Sequence, residues 1–249
     1  MALQEDLARH GNFLFRYRSY LPLIILVAGV GAFFYSEWQR ELPDSSVYYQ
    51  YRPFLALAIC FLGLAIRSFA VGFAGRNTSG RNTSVGQVAD SLNTSGIYSI
   101  VRHPLYVGNF FMWFGIAFFV EQVWFLVSFT LFFWIYYERI AYAEEHFLRE
   151  KFGQPYRDWA DGISAFIPNF SKWKSAGTSF RWKMVLKNEK NGVMIVFILI
   201  YLFQLMEVCI HHREFRFIMG TWFYAAIGGV VYYALVKFLQ KKTKVLTED

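Results

Sequence analysis

The chain is short of charge: Asp, Glu, Lys and Arg together make up 17% of its 249 residues. A soluble domain of this size carries nearer a quarter, so the sequence has too little charge to clothe a water-facing surface. Cysteine is scarce too. Cys60 and Cys209 are the only two, and both lie inside apolar runs, which excludes a disulfide framework and offers no metal-ligand spacing. Residues 1–20 hold no short apolar core followed by a small-residue cleavage site, so no removable signal peptide is expected. The Gly-Lys-Ser/Thr ending of a phosphate loop is also missing.

What the chain has instead is apolar mass. Hydrophobic residues reach 55% and aromatics 21%, and the mean hydropathy is positive. A soluble fold with a large core fails the hydropathy criterion, and the sequence reads as an all-α integral membrane protein. About 20 apolar residues cross the hydrocarbon, and six spans qualify: Leu21–Trp38, Pro53–Phe73, Leu105–Val120, Val123–Tyr137, Val193–Ile210 and Phe217–Leu239. Only Glu121 and Gln122 interrupt Leu105 to Tyr137. A single helix of that length would measure about 50 Å against a core of about 30 Å, so a helical hairpin turning at Glu121-Gln122 is predicted.

Basic residues orient the spans. With both termini in the cytoplasm, twenty Lys and Arg face inward and four outward, leaving Arg67 within the second span. The net charge of +7 then meets anionic lipid headgroups rather than nucleic acid. The expected location is the bacterial inner membrane, or the endoplasmic reticulum for a eukaryotic chain. Three parts are expected: 1–52 with the first span, a core over 53–170, and 171–249 with an interfacial segment and two final spans. Between the second and third spans lies a tandem repeat, Gly75–Ser79 and Gly80–Ser84. It suits a flexible polar connector better than an anion-binding nest. Asn77, Asn82 and Asn93 fit the glycosylation pattern, but a cytoplasmic position predicts no glycan. Residues 170–190 interleave Phe and Trp with Lys and Arg, as an interfacial anchor does.

Polar groups at membrane depth are costly, and each is a candidate for function. Arg67 either snorkels or serves a site. The hairpin brings together Arg102-His103-Pro104, at the start of span three, and the stretch from Glu138 to Trp159 after span four. Pro104 suits the first turn of a helix, whose positive end favours an anion. Opposite it, Glu138, Glu144 and Glu145 would hold an ammonium group. A ligand bearing both a carboxylate and an amine fits this pairing; so does a plain salt-bridge clasp of Arg102 and His103 on Glu144 or Glu145. Spacing alone leaves both open.

The ordered set Gly96-x-Tyr98, Arg102-His103-Pro104-x-Tyr106-x-Gly108, Glu144-Glu145-x-x-Leu148, Phe152-Gly153-x-x-Tyr156 and Ile167-Pro168 resembles the integral-membrane methyltransferase family that includes isoprenylcysteine carboxyl methyltransferase and the bacterial phospholipid methyltransferases. The resemblance covers about residues 53–170. It implies S-adenosylmethionine as methyl donor in a cytoplasmic pocket, with Tyr98, His103, Pro104, Leu105, Tyr106 and Glu144 as cofactor-binding residues. It adds Asp90, Ser91, Leu92 and Asn93, although the family often has His where this chain has Asp90. Aromatic faces, Tyr98 and Tyr106 among them, suit the sulfonium. It further implies a lipid or lipid-linked acceptor entering from the bilayer. The prenylcysteine enzymes place an arginine four residues before the first Glu of the pair, where this chain has Ile140. Arg139, one residue earlier and turned by about 100°, is the expected contact for an anionic acceptor. No residue is assigned as acid or base, and no metal is expected. A transporter or channel, and a non-catalytic scaffold of the same fold, are the competing classes.

Overall fold

The computed structural model describes residues 3–18, 20–40, 47–75, 81–83, 86–243 and 245–246. Eight helices carry them: α1 (Leu3–Arg16), α2 (Leu21–Gln39), α3 (Val47–Gly72), α4 (Pro104–Ala117), α5 (Val123–Phe152), α6 (Gln154–Ala160), α7 (Trp182–His212) and α8 (Thr221–Lys242). Five of these, α2, α3, α5, α7 and α8, are long and apolar enough to cross a membrane. The remaining predicted span is shorter. Pro104–Val120 is α4 closed by a turn of 3-10 helix over Phe118–Val120.

The hairpin turns where it was predicted to. Glu121 takes a left-handed φ of 55°, which ends the 3-10 turn, and α5 starts two residues later. Gln122 donates to the Ser36 hydroxyl at 2.8 Å, tying the turn to the end of α2. Unlike the predicted span, α5 does not stop at Tyr137. It runs unbroken to Phe152, so one rigid rod joins the bilayer segment to the Glu144-Glu145 pair.

Alternating up and down, the long helices produce two polar ends. At the Glu121 end, Arg52 is almost wholly buried (1% exposed) and donates to Glu207 of α7. Its Nη1 lies 3.2 Å from Glu121. Arg40 joins Glu37 at 2.9 Å to Glu121 at 3.0 Å, and Tyr49 donates to Glu121 at 3.0 Å. Arg52, expected as an outward-facing charge, is therefore a buried knot between four segments. Its charge is tolerable there because carboxylates surround it.

The backbones of α3 and α4 approach closely enough to need glycine. A Cβ on Gly63 would stand 2.4 Å from the Gly108 carbonyl oxygen, and one on Gly108 would stand 2.5 Å from Cγ of Arg67. Gly108→Val should therefore push the two helices apart at an overpacking cost of about 1–3 kcal/mol. The expected result is a lower unfolding temperature in detergent, and an unchanged one would show that the contact yields freely.

Two features were not predicted as they stand. α1 lies on α5 as an additional helix: a Cβ on its Gly11 would meet the Arg139 carbonyl oxygen at 2.2 Å. The second repeat unit is not a free connector, since Arg81–Thr83 (β1) pairs antiparallel with Gly86–Val88 (β2), Thr83 opposite Gly86. Of the first unit, only Gly75 is described. In the interfacial segment, Phe170, Trp173 and Trp182 are exposed, as rings at a headgroup level should be.

Candidate active site

The polar end opposite Glu121 contains a cavity of about 350 Å³. Its construction starts at Pro104, the first residue of α4, with His103 as N-cap. Before it, residues 96–103, which include a 3-10 turn over Ile97–Ser99, lie against residues 164–174 and are joined to them by backbone hydrogen bonds. Gly96 N–H donates to the Lys174 carbonyl at 2.9 Å, Asn169 N–H to Ile100 at 2.9 Å, Arg102 N–H to Ser164 at 2.9 Å and His103 N–H to Ala165 at 3.1 Å. The Trp159 indole donates to the Tyr98 carbonyl at 3.1 Å. These bonds make the roof.

From the other side, α5 brings Tyr137, Glu144 and Leu148 onto the cavity face, at spacings of seven and four that align on a helix. Gly153 then ends α5 with φ of 61° and ψ of −126°, a backbone that side-chain-bearing residues avoid. The reversal folds α6 back so that Tyr156 and Trp159 also line the cavity. Sequence spacing gives Phe152-Gly153-x-x-Tyr156 no mechanism; the turn does.

Charges meet at the seam. The Tyr106 hydroxyl donates to Glu144 Oε2 at 2.7 Å, and His103 Nδ1 lies 3.6 Å from the same oxygen. His103 Nε2 is 2.8 Å from Glu145 Oε1. Arg102 donates through Nε to Glu145 at 2.9 Å, and through Nη1 to the Ala160 and Ile163 carbonyls, both at 2.7 Å. The salt-bridge clasp is thus present, and it forms one wall of a cavity. Burial favours neutral His103, but the hydrogen bonds it donates to Glu144 and Glu145 and their negative charge outweigh it, raising its pKa from 6.5 to about 9.

The sign follows from linkage. A raised pKa stabilises the fold fully below about pH 6.5, and that contribution fades as pH rises through about 9. The wild-type unfolding temperature should therefore fall between pH 7 and pH 10, and His103→Gln should flatten that part of the profile. Equal slopes in the two proteins would mean that His103 is not held as an imidazolium.

Eight of the ten residues expected at the cofactor line this cavity: Leu92, Asn93, Tyr98, His103, Pro104, Leu105, Tyr106 and Glu144. Asp90 and Ser91 do not. Both are exposed just after β2, and this loop reaches the cavity only from Leu92 onward. Arg139 does not line it either. It follows Tyr137 by two residues, about 200° around α5, and its backbone faces Gly11 of α1 instead. Ile140 is fully buried in the core. The cavity also takes Arg18 from the turn between α1 and α2, Pro22 from the start of α2, Arg67 from α3, and Asn109 and Trp113 from α4. No local motif marks Arg18, Pro22, Asn109 or Trp113. Tyr156 stands in the ordered motif set and Trp159 three residues beyond it, neither with an assigned role.

The sequence model of the phospholipid methyltransferase family matches residues 51–155, the stretch from α3 into α6 that builds most of this cavity. Over this segment the chain is similar to the phospholipid methyltransferase family. Among curated relatives, the protein-S-isoprenylcysteine O-methyltransferase of Tribolium castaneum is 30% identical over 120 residues, covering 48% of this chain and 43% of that one. A probable protein-S-isoprenylcysteine O-methyltransferase of Oryza sativa subsp. indica is 31% identical over 121 residues, 48% and 63% of the two chains. The nickel-cobalt-cadmium resistance protein NccN of Alcaligenes xylosoxydans xylosoxydans is 27% identical over 176 residues, 71% and 73%. The chain spans about half the length of the isoprenylcysteine relatives. No solved structure matches it. Among the described residues, no group of three or more His, Cys, Asp or Glu is placed to hold a metal ion.

Proposed function

We propose that this membrane protein transfers a methyl group from S-adenosylmethionine to a lipid or lipid-linked acceptor, with the cavity on the cytoplasmic side together with both termini. The observation that carries this reading is the convergence of Glu144, His103, Tyr98 and Tyr106 from two helices and a loop on one cavity.

The residues present fit that cofactor. At about 350 Å³, the space is of cofactor-site size. Glu144 offers a carboxylate to an α-amino group. The α4 N-terminus, where the Tyr106 and Val107 N–H groups already bond the His103 carbonyl, offers a carboxylate the positive end of the helix dipole. Tyr98, Tyr106 and Trp159 offer ring faces to a sulfonium. Tyr156 also lines the cavity, with its buried hydroxyl beside the Glu145 carboxylate.

When bound, S-adenosylmethionine supplies an electrophilic methyl group. The chain's part is to orient and to exclude water, and it needs little acid–base machinery when the acceptor is already a nucleophile. A polar cluster gathered at one end of the bundle, with the family-matched segment around it, favours this over a transport path. The test has two steps: calorimetry of S-adenosylmethionine with purified protein, then mass spectrometry of lipids exposed to a deuteriomethyl donor with and without the protein. Binding and a protein-dependent labelled lipid are expected. No heat of binding would favour a scaffold.

A further inference from the structure

Arg67 and Glu189 are the charged pair that the proposed reaction leaves unused. Arg67 of α3 lines the cavity, and Glu189 of α7 is 3% exposed. The pair is bidentate: Arg67 Nε donates to Glu189 Oε2 and Nη2 to Oε1, both at 2.8 Å. Nη1 donates to Asn109 Oδ1 at 2.5 Å, and Asn109 Nδ2 donates to the Tyr137 hydroxyl at 3.2 Å. Because guanidinium can only donate, the Asn109 atom facing it must be the oxygen, and the direction of every bond in the chain is fixed.

That direction has a chemical consequence. Both Glu189 oxygens and the Asn109 oxygen already accept from Arg67. Arg67 has five N–H groups, of which these bonds take three, one Asn109 N–H remains, and the Tyr137 hydroxyl, having accepted, still has its proton to give. The groups that line the cavity floor, Arg67, Asn109 and Tyr137, therefore keep N–H and O–H donors to offer, while the Glu189 carboxylate is held behind Arg67 and does not line the cavity. Asn109 lies five residues into α4 from Pro104, about 7.5 Å deeper along the helix, and so on the bilayer side of Glu144.

We infer that this floor binds the acceptor, that it selects an oxyanion (carboxylate or phosphate) over an amine, and that Glu189 is a positioning residue acting through Arg67. The inference rests on the methyltransferase reading above. It gives α7, outside the family-matched segment, a share in the site. Methylating an oxyanion forms one C–O bond from the acceptor's electron pair and breaks one C–S bond, whose pair stays on the donor sulfur. No proton is released, so a floor without a base suffices. An ammonium acceptor would have to lose a proton, and at the floor it would face the N–H and O–H donors of Arg67, Asn109 and Tyr137.

The test uses the full chain in detergent, S-adenosylmethionine binding by calorimetry, and three acceptor probes: N-acetyl-S-farnesylcysteine for a carboxylate, farnesyl phosphate for a phosphate, and vesicles of phosphatidylethanolamine for an amine. Labelling of either oxyanion probe is expected, and which one identifies the source. With that probe, Glu189→Gln should raise the acceptor KM about tenfold while leaving the S-adenosylmethionine Kd within twofold. Arg67→Gln should raise it further, and the double variant should be no worse than Arg67→Gln. Glu189→Asp should recover part of the loss, and Arg67→Lys serves if Arg67→Gln does not fold. Labelling of the amine alone, a shift confined to the S-adenosylmethionine Kd, or inert oxyanion probes in a protein that binds S-adenosylmethionine would each overturn the inference. A wild-type protein that binds no S-adenosylmethionine overturns the methyltransferase reading itself, and this one with it.

Discussion

Glu144→Gln is expected to weaken S-adenosylmethionine binding by about a hundredfold or more. The side chain is 7% exposed, lines the cavity, accepts the Tyr106 hydroxyl at 2.7 Å and faces His103 at 3.6 Å. Glutamine keeps the size and one acceptor oxygen but removes the charge. An ammonium group on the ligand then loses its counter-ion, and the His103 imidazolium keeps one carboxylate of two. Breaking one side of a buried ion pair costs about 3–5 kcal/mol, which is more than two decades in an equilibrium constant. The neighbour makes the control. Glu145 holds Arg102 and His103 but does not line the cavity. Glu145→Gln should therefore lower the unfolding temperature more than it lowers affinity. Calorimetry and thermal unfolding on both variants separate the roles, and equal affinity losses would remove Glu144 from the binding site.

The contrast between those two glutamates shows where sequence reasoning stops. The existence of the helices was legible because the bilayer imposes it: a run without charge has no other way to satisfy its backbone. Pro104 as first residue of α4 and the turn at Glu121 followed from local chemistry. The length of α5 did not, because hydropathy marks where the hydrocarbon ends and not where a helix ends. α1 was not predicted for the opposite reason, since its mixed charge marks no apolar span, and its place appears only when Gly11 is seen against Arg139. Pairings over long separations were out of reach. Arg52 finds Glu207, 155 residues away, and Arg67 finds Glu189, 122 away; no spacing rule connects such residues. Arg139 is a different case, since it does not line the cavity. Its residue type suited an anion, but 100° per residue carried it to the face that α1 covers.

Arg102→Ala should open the roof of the cavity and lower the unfolding temperature by about 10 °C. Its side chain bonds the Glu145 carboxylate and the carbonyls of Ala160 and Ile163, holding the chain after α6 against the start of α4. A hydrogen bond involving a charged group contributes about 1.5–3 kcal/mol. The three share one group that is 20% exposed, so about 3–4 kcal/mol in total is a fair expectation, and each kcal/mol is worth about 2–4 °C in a chain of this length. Arg102→Lys should recover less than half, because a single ammonium cannot span a carboxylate and two carbonyls as the guanidinium fork does. The loss should also be local. Amide exchange should rise over residues 160–174, which hydrogen-bond the roof, while α7 and α8 beyond the segment keep their protection. Ligand affinity should fall with it, since Trp159 and Tyr98 lose their shared support. Full protection of residues 160–174 in Arg102→Ala would assign the closure to the backbone bonds alone, and Arg102 would then be a contributor of charge to the cavity wall rather than the clasp that shuts it.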